Sequence, residues 1–172
     1  MKEIRLVLPS LEHKESLLDY KREFIENDEL IHGSAGLGNA KSFEEWYEAF
    51  QDNLKEETVR EGLVPSTTYL GLDDKGNIVG MIDIRHRLNS YLLKHGGHIG
   101  YSIRKSKRNQ GYATKMLSLA LEACKRLEIK EVLVTCDKEN IASAKTIINN
   151  GGQLENELPE EDRITQRYWI RL

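Results

Sequence analysis

The chain has 172 residues, of which 31% are charged and 39% hydrophobic, and its formal net charge is −3. This length suits one domain that buries about two thirds of the surface of its unfolded chain. The mildly acidic balance argues against a nucleic-acid partner, and no apolar run reaches the roughly 20 residues that a membrane span needs. Residues 1–5 lead directly into a strand-like segment without a secretory signal, so we expect a cytoplasmic protein with no membrane partner.

The first half of the chain is predicted to form a strand, two helices and a β-hairpin. Ser10 and Ser42 are the expected helix N-caps, and Glu45 completes a capping-box pattern at the second helix. The polar segment 73–77 contains Gly76 and has the turn chemistry of a hairpin. The predicted elements are a strand at 4–8, helices at 11–27 and 42–55, and strands at 67–72 and 78–85.

The second half continues after a polar connection at 87–97. The predicted elements are a strand at 98–103, a helix at 111–127, a strand at 131–136, a helix at 140–149, and antiparallel strands at 154–157 and 165–172. The order β-α-α-β-β-β-α-β-α-β-β is that of a single α+β domain. Cys124 falls on an apolar helix stripe and Cys136 ends a strand; their spacing fits neither a metal site nor a redox motif, so we expect reduced structural thiols and no metal.

The segment Arg108-Asn109-Gln110-Gly111-Tyr112-Ala113 lies between the strand at 98–103 and an amphipathic helix. The first amides of a helix lack intrahelical acceptors and carry partial positive charge, and Gly111 lets a ligand approach the backbone closely. A positive rim is expected from Arg104, Lys105, Lys107 and Arg108. These features predict an anion site suited to a diphosphate. The alternative is a solvated turn that binds no ligand.

This segment resembles the R/Q-x-x-G-x-G/A signature of the GCN5-related N-acetyltransferases (GNAT), whose turn grips the pyrophosphate of acetyl-CoA. Arg108, Gly111 and Ala113 match it. A second match, Asn140-x-x-Ser143 followed by N-N-G-G at 149–152, resembles the helix and glycine turn that close the family's cofactor cleft. The chain is thus similar to small single-domain acetyltransferases of bacterial type.

The resemblance covers residues 60–160 well and the first fifty poorly. It implies one acyl-CoA N-acyltransferase domain over residues 1–172, with 61–160 as the cofactor-binding core and 1–60 as a variable acceptor-side part. It also implies a mixed, mostly antiparallel sheet that splays between its fourth and fifth strands and is flanked by helices. The implied contacts to acetyl-CoA are from Tyr101, Ser102, Ile103, Arg108, Asn109, Gln110, Gly111, Tyr112, Ala113, Thr114, Asn140 and Ser143. For Asn140, the role of helix N-cap is an alternative or an addition.

The proton donor of many relatives has no counterpart in this chain. They carry a tyrosine seven residues past the asparagine, where this chain has Ile147. The ribosomal-protein acetyltransferases of the family place a carboxylate on the preceding strand, where this chain has Thr135. A thiolate with a pKa near 8.5 is an adequate leaving group, so loss of the acid is tolerable.

His98 and Asp83 are the candidate catalytic residues. His98 would stand beside the thioester, some arylalkylamine-acetylating relatives use histidines on this strand, and an imidazole titrates near 6.5. Asp83 shares one face of the preceding strand with Arg85. The alternatives are a partly buried histidine with a satisfied hydrogen bond and an aspartate in an ion pair.

The sequence therefore predicts an acetyl-CoA-dependent N-acetyltransferase in which a primary amine attacks the thioester directly within a ternary complex. The acceptor would be a small-molecule amine or a peptide N-terminus, and the residues do not choose between them. A homodimer is also left open. The alternative is an acetyl-CoA-binding regulatory module with the same fold and little or no catalysis.

Overall fold

The computed structural model describes residues 2–172, and in this range it contains seven strands and four α-helices. The strands are β1 (Arg5–Val7), β2 (Ser66–Leu72), β3 (Ile78–Arg85), β4 (Ile99–Ile103), β5 (Glu131–Asp137), β6 (Gln153–Glu160) and β7 (Arg163–Arg171). The helices are α1 (Lys14–Glu26), α2 (Phe43–Asp52), α3 (Tyr112–Arg126) and α4 (Ile141–Asn149). A single π-helical turn, Leu92–Gly96, precedes β4. None of these helices is both long and apolar enough to cross a bilayer.

The strands form one sheet in the order β1-β2-β3-β4-β5-β7-β6. Every neighbouring pair is antiparallel except β4 and β5, which are parallel and share a single register position, Ile99 with Val134. Beyond that position the two strands diverge. The predicted element order, the mostly antiparallel sheet and its splay between the fourth and fifth strands are therefore confirmed.

The two faces of the sheet are covered by different helices. Adjacent residues of β3 show this, because Met81 packs into the cluster of α1 and α2 whereas Ile82 packs into the cluster of α3 and α4. Both side chains are fully buried. Alternation along the strand gives each face its own apolar core, and this fixes which helices border the splay.

Two predicted boundaries differ from the structure for physical reasons. β6 runs over Gln153–Glu160, well beyond the predicted 154–157, and β7 over Arg163–Arg171, which begins two residues before the predicted 165–172 and ends one residue earlier. β6 is an edge strand whose side chains are mostly polar and exposed, so it lacks the alternation that marks a half-buried strand. The connection at 87–97, predicted as a polar connection without regular structure of its own being assigned, contains the π-helical turn.

Candidate functional site

A cleft of about 870 Å³ opens where β4 and β5 diverge. Eleven of the twelve predicted contact residues line it: Tyr101, Ser102, Ile103, Arg108, Asn109, Gly111, Tyr112, Ala113, Thr114, Asn140 and Ser143. The exception is Gln110, whose side chain bonds to Lys2 and to the carbonyl of Ser106. The fold thus brings segments that lie far apart in the sequence to one cavity.

The turn before α3 offers a row of free backbone donors. Within residues 2–172, none of the six amides from Asn109 through Thr114 donates to a protein acceptor, and the first amide that does is that of Lys115, to the carbonyl of Gly111. Asn109 and Gly111 have φ values of 60° and 86°, left-handed conformations that curve the turn. Curved backbone that presents consecutive N–H groups at a helix N-terminus is suited to phosphate.

The positive rim predicted from the basic run is mostly neutralised, which corrects that expectation. Arg104 pairs with Asp19 at 2.8 Å and also with Glu23, both on α1. Arg108 forms a bidentate pair with Glu29, with nitrogen–oxygen distances of 2.8 and 3.2 Å. These guanidinium groups join the turn to α1 and to the loop after it, so they are not free cations facing the cleft.

Two lysines supply the remaining positive charge. Lys107 and Lys145 line the cleft, and neither forms an ion pair within the described part of the chain. Sequence reasoning missed Lys145. The sequence did contain a sign that Lys145 lines the cleft. It lies three or four positions from Ala142 and Asn149, which also line the cleft, and residues at this spacing share one face of a helix.

The backbone of β4 faces the splay at alternate residues. The Arg104 amide donates to the Val79 carbonyl and the Arg85 amide to the His98 carbonyl, so the backbone of the even-numbered residues of β4 points toward β3. Antiparallel alternation then turns the amides of Tyr101 and Ile103 toward β5, where the strands have already parted. The prediction of main-chain contacts fits these two residues better than Ser102.

Asn140 and Ser143, the predicted contacts at the N-terminal end of α4, have protein partners as well as a place in the cleft. Asn140 caps α4, since its Oδ1 accepts from the Ser143 amide at 3.1 Å, and its side-chain amide group has no protein partner in the described chain. The Ser143 hydroxyl is 2.7 Å from the Tyr101 hydroxyl. Burial raises the pKa of Tyr101 to about 12, although the hydrogen bond to Ser143 opposes the shift. Ile147 is fully buried.

The surroundings of His98 do not suit the predicted role of base. It is buried, lies outside the cleft lining, and accepts a hydrogen bond at Nδ1 from the Leu133 amide at 2.9 Å. Burial, and then the positive charge of Arg85, lowers the pKa of His98 to about 4. It therefore links β4 to β5 as a neutral side chain, the alternative recognised from the sequence.

Asp83 also lies outside the cleft lining. It is buried, accepts a hydrogen bond from the Thr68 hydroxyl at 2.9 Å and lies 3.3 Å from the Arg85 guanidinium. Burial raises the pKa of Asp83, against the influence of Arg85 and Thr68. Arg85 in turn donates to the carbonyls of Gly96 and Gly97, so the pair fixes the turn before β4.

The loop between α1 and α2 contributes residues that sequence reasoning did not select. Glu29, Leu30 and His32 line the cleft. Next to them, Gly33 packs so closely on β4 that a Cβ there would lie 2.2 Å from the Gly100 carbonyl oxygen. No periodicity or motif marks this placement in the sequence, because it depends on a contact between distant segments.

Solved structures share this architecture. Spermidine N-acetyltransferase from Vibrio cholerae, in complex with CoA and spermine, is 15% identical with a TM-score of 0.68, over 98% of this chain and 95% of that one. RimJ from Mycobacterium smegmatis, in complex with CoA-disulfide, is 20% identical with a TM-score of 0.72, over 98% and 81%. The ribosomal-protein alpha-N-acetyltransferase RimL, in complex with coenzyme A, is 15% identical with a TM-score of 0.73, over 98% and 94%. At these identities the likeness establishes the fold.

No curated protein matches the sequence significantly. The family model for the acetyltransferase (GNAT) domain, in contrast, matches residues 5–153, which is most of the chain. The splayed sheet and the cleft with its free amides agree with that match. The chain therefore belongs to the GCN5-related N-acetyltransferases (GNAT), enzymes that take the acetyl group from acetyl-CoA.

Proposed function

We propose that this protein transfers the acetyl group of acetyl-CoA to a primary amine, which attacks the thioester directly in a ternary complex. The observation that carries the proposal is the row of six unpaired amides from Asn109 to Thr114 at one end of the cleft. A diphosphate is the anion that such a row fits best. Lys107 and Lys145 add positive charge beside it.

The free edge of β4 would hold the arm that carries the thioester. The amides of Tyr101 and Ile103 face the gap between the strands, and the Ile103 carbonyl already accepts from Arg108 Nε at 2.9 Å. We assign to the Tyr101 amide the role of polarising the thioester carbonyl. Loss of one such preorganised donor lowers kcat roughly 10²–10³-fold in enzymes that use them.

The hydroxyls of Tyr101 and Ser143 would stabilise the departing sulfur. Both line the cleft, and Ser143 lies one helical turn before Ile147. Many relatives carry at the position of Ile147 the donor tyrosine that this chain lacks. Because the pKa of Tyr101 is about 12, its phenol keeps its proton at neutral pH and can donate a hydrogen bond.

The acceptor amine would arrive from the side formed by residues 1–60, where the α1–α2 loop borders the cleft. We assign the cofactor to residues 61–160, as the motifs imply. The solved relatives named above include a spermidine acetyltransferase and a ribosomal-protein alpha-N-acetyltransferase. A small-molecule amine or a peptide N-terminus is accordingly the proposed acceptor class.

The test is release of free thiol from acetyl-CoA in the presence of a panel of polyamines, amino acids, amino sugars and short peptides. We expect amine-dependent thiol release with at least one of them. Tight acetyl-CoA binding without turnover on any amine would contradict catalysis and favour a binding module.

The variant Gly111→Glu tests whether thiol release depends on the proposed diphosphate site. The position has open space but would point a carboxylate at the diphosphate, so we expect loss of both acetyl-CoA binding and thiol release. Gly62→Glu is the control, because Gly62 has a φ of 87°, equally open space and a place outside the cleft. Equal acetyl-CoA affinity in the two variants would argue against the site.

A further inference from the structure

We infer that His32 is the general base that accepts the proton of the acceptor amine, an assignment that rests on the proposed function. The amine enters as an ammonium ion and passes one proton to His32, which releases it to solvent. The amine nitrogen then attacks the thioester carbon, so that the C–N bond forms as the C–S bond breaks. The second proton lost by this nitrogen combines with the departing thiolate to give the free thiol.

The fold places His32 over the beginning of the splay. It lines the cleft together with Tyr101 and Ser102, and the following residue, Gly33, packs directly on the Gly100 backbone. The side chain therefore stands on the α1–α2 side of β4, next to the strand whose free amides would hold the thioester. His32 is thus positioned to meet an amine that arrives from that side.

The segment that carries His32 is held firmly. Ser34 is buried, its hydroxyl donates to the Ile31 carbonyl at 2.8 Å, and its own carbonyl accepts from Trp46 Nε1 at 2.6 Å. On the other side of His32, Glu29 is fixed by its bidentate pair with Arg108. A base on such a segment is preorganised.

The other histidines are committed elsewhere. In each of them a ring nitrogen takes part in a hydrogen bond or ion pair, and none lines the cleft: His13, His86, His95 and His98. The ring of His32 has no hydrogen-bond partner in the described chain, so both nitrogens are available to an amine or to a bridging water. Glu29, the carboxylate that lines the cleft, is occupied by Arg108.

Partial burial and two arginines set the protonation state of His32. Arg85 faces it from β3 and Arg163 from β7, while Glu29 on its own loop is neutralised by Arg108. His32 is an exposed residue, yet partial desolvation at the cleft wall, followed by the charges of Arg163 and Arg85, lowers the pKa of His32 below its ordinary 6.5. At neutral pH the imidazole is thus uncharged, which is the form a base requires.

The experiment compares His32→Gln with His86→Gln, a histidine substitution outside the cleft, by thiol release with the best acceptor from pH 5 to 9. We expect His32→Gln to lower kcat roughly 10²–10⁴-fold at pH 7. Its rate should climb about tenfold per pH unit toward pH 9, as free amine becomes available without a base. The wild type and His86→Gln should instead level off above the pKa of His32, and acetyl-CoA affinity should agree within twofold in all three.

A kcat within threefold of wild type, or a plateau at the same pH, would overturn the assignment of His32 alone. So would loss of acetyl-CoA binding in His32→Gln, since it would make His32 a binding residue. A wild-type protein that releases no thiol with any amine would remove the proposed function, and this inference with it.

Discussion

Tyr101 illustrates how one residue can serve the cleft through both its backbone and its side chain. Its amide faces the gap between β4 and β5, and its hydroxyl lies 2.7 Å from that of Ser143. Alternation along the strand makes this possible, because the backbone and the side chain of one residue point in different directions. The side chain is half-buried, so the hydroxyl is held by packing as well as by Ser143.

Tyr101→Phe tests the hydroxyl while it preserves the ring and the backbone. A hydrogen bond to a charged group contributes about 1.5–3 kcal/mol, so kcat should fall roughly 10-fold or more while acetyl-CoA affinity stays within threefold. Tyr69→Phe is the control, since Tyr69 packs on the same core without a side-chain hydrogen bond in residues 2–172. Steady-state kinetics that give equal kcat values for the two variants would show that Tyr101 does not assist the leaving group.

At the scale of elements, the junction of β4 and β5 depends on His98. The His98 amide donates to the Leu133 carbonyl at 2.7 Å while Nδ1 accepts from the Leu133 amide. The same bonds hold β4 next to β5 just before the strands diverge. Gly97, which precedes His98, has a φ of 67° and no room for a Cβ against the Leu133 carbonyl, so the junction also requires glycine there.

The lowered pKa of His98 predicts how stability depends on pH. Above about pH 6.5 the side chain is neutral in the folded and unfolded states, so it contributes no pH dependence there. Between pH 6.5 and about 4 the unfolded state takes up a proton that the folded state does not, and stability is lost as the pH falls. From pH 7 to pH 5 this one group should cost about 2 kcal/mol of unfolding free energy.

Urea unfolding of the wild type and of His98→Asn at pH 7 and pH 5 measures this contribution. An asparagine can still accept from the Leu133 amide but does not titrate, so the variant should lose about 2 kcal/mol less than the wild type over that interval. All other titrating groups are common to both proteins and cancel. The same loss in both would mean that His98 is not the group that senses pH.

At the scale of the whole molecule, the sequence predicts what is set locally. Helix caps, the hairpin turn, apolar periodicity and the turn at 108–113 each lie within a few residues, and all were placed correctly to within a few positions. Pairings between distant segments were not predictable. The bond from Arg108 to Glu29 joins residues 79 positions apart. Because of it, the Arg108 guanidinium is not the free cation that the sequence predicted for the rim of the anion site.

The candidate catalytic residues depend on such pairings between distant segments. A strand pattern places His98 next to the cleft but does not reveal that the Leu133 amide occupies its Nδ1. His32 lies in a loop with no periodicity, and it reaches the cleft because Gly33 packs on Gly100 in the folded chain. The fold and the segments that line the cleft were thus predictable from local chemistry, whereas the proposed base depends on tertiary packing.

We propose that the amides from Asn109 to Thr114 bind the diphosphate of coenzyme A. Titration of ¹⁵N-labelled protein with coenzyme A, followed by amide chemical shifts, tests it most directly. We predict that the resonances of these residues shift together and saturate at one dissociation constant, while those of the distant β2–β3 turn at 73–77 stay in place. If coenzyme A binds and the amides of residues 109–114 do not respond, the account is contradicted.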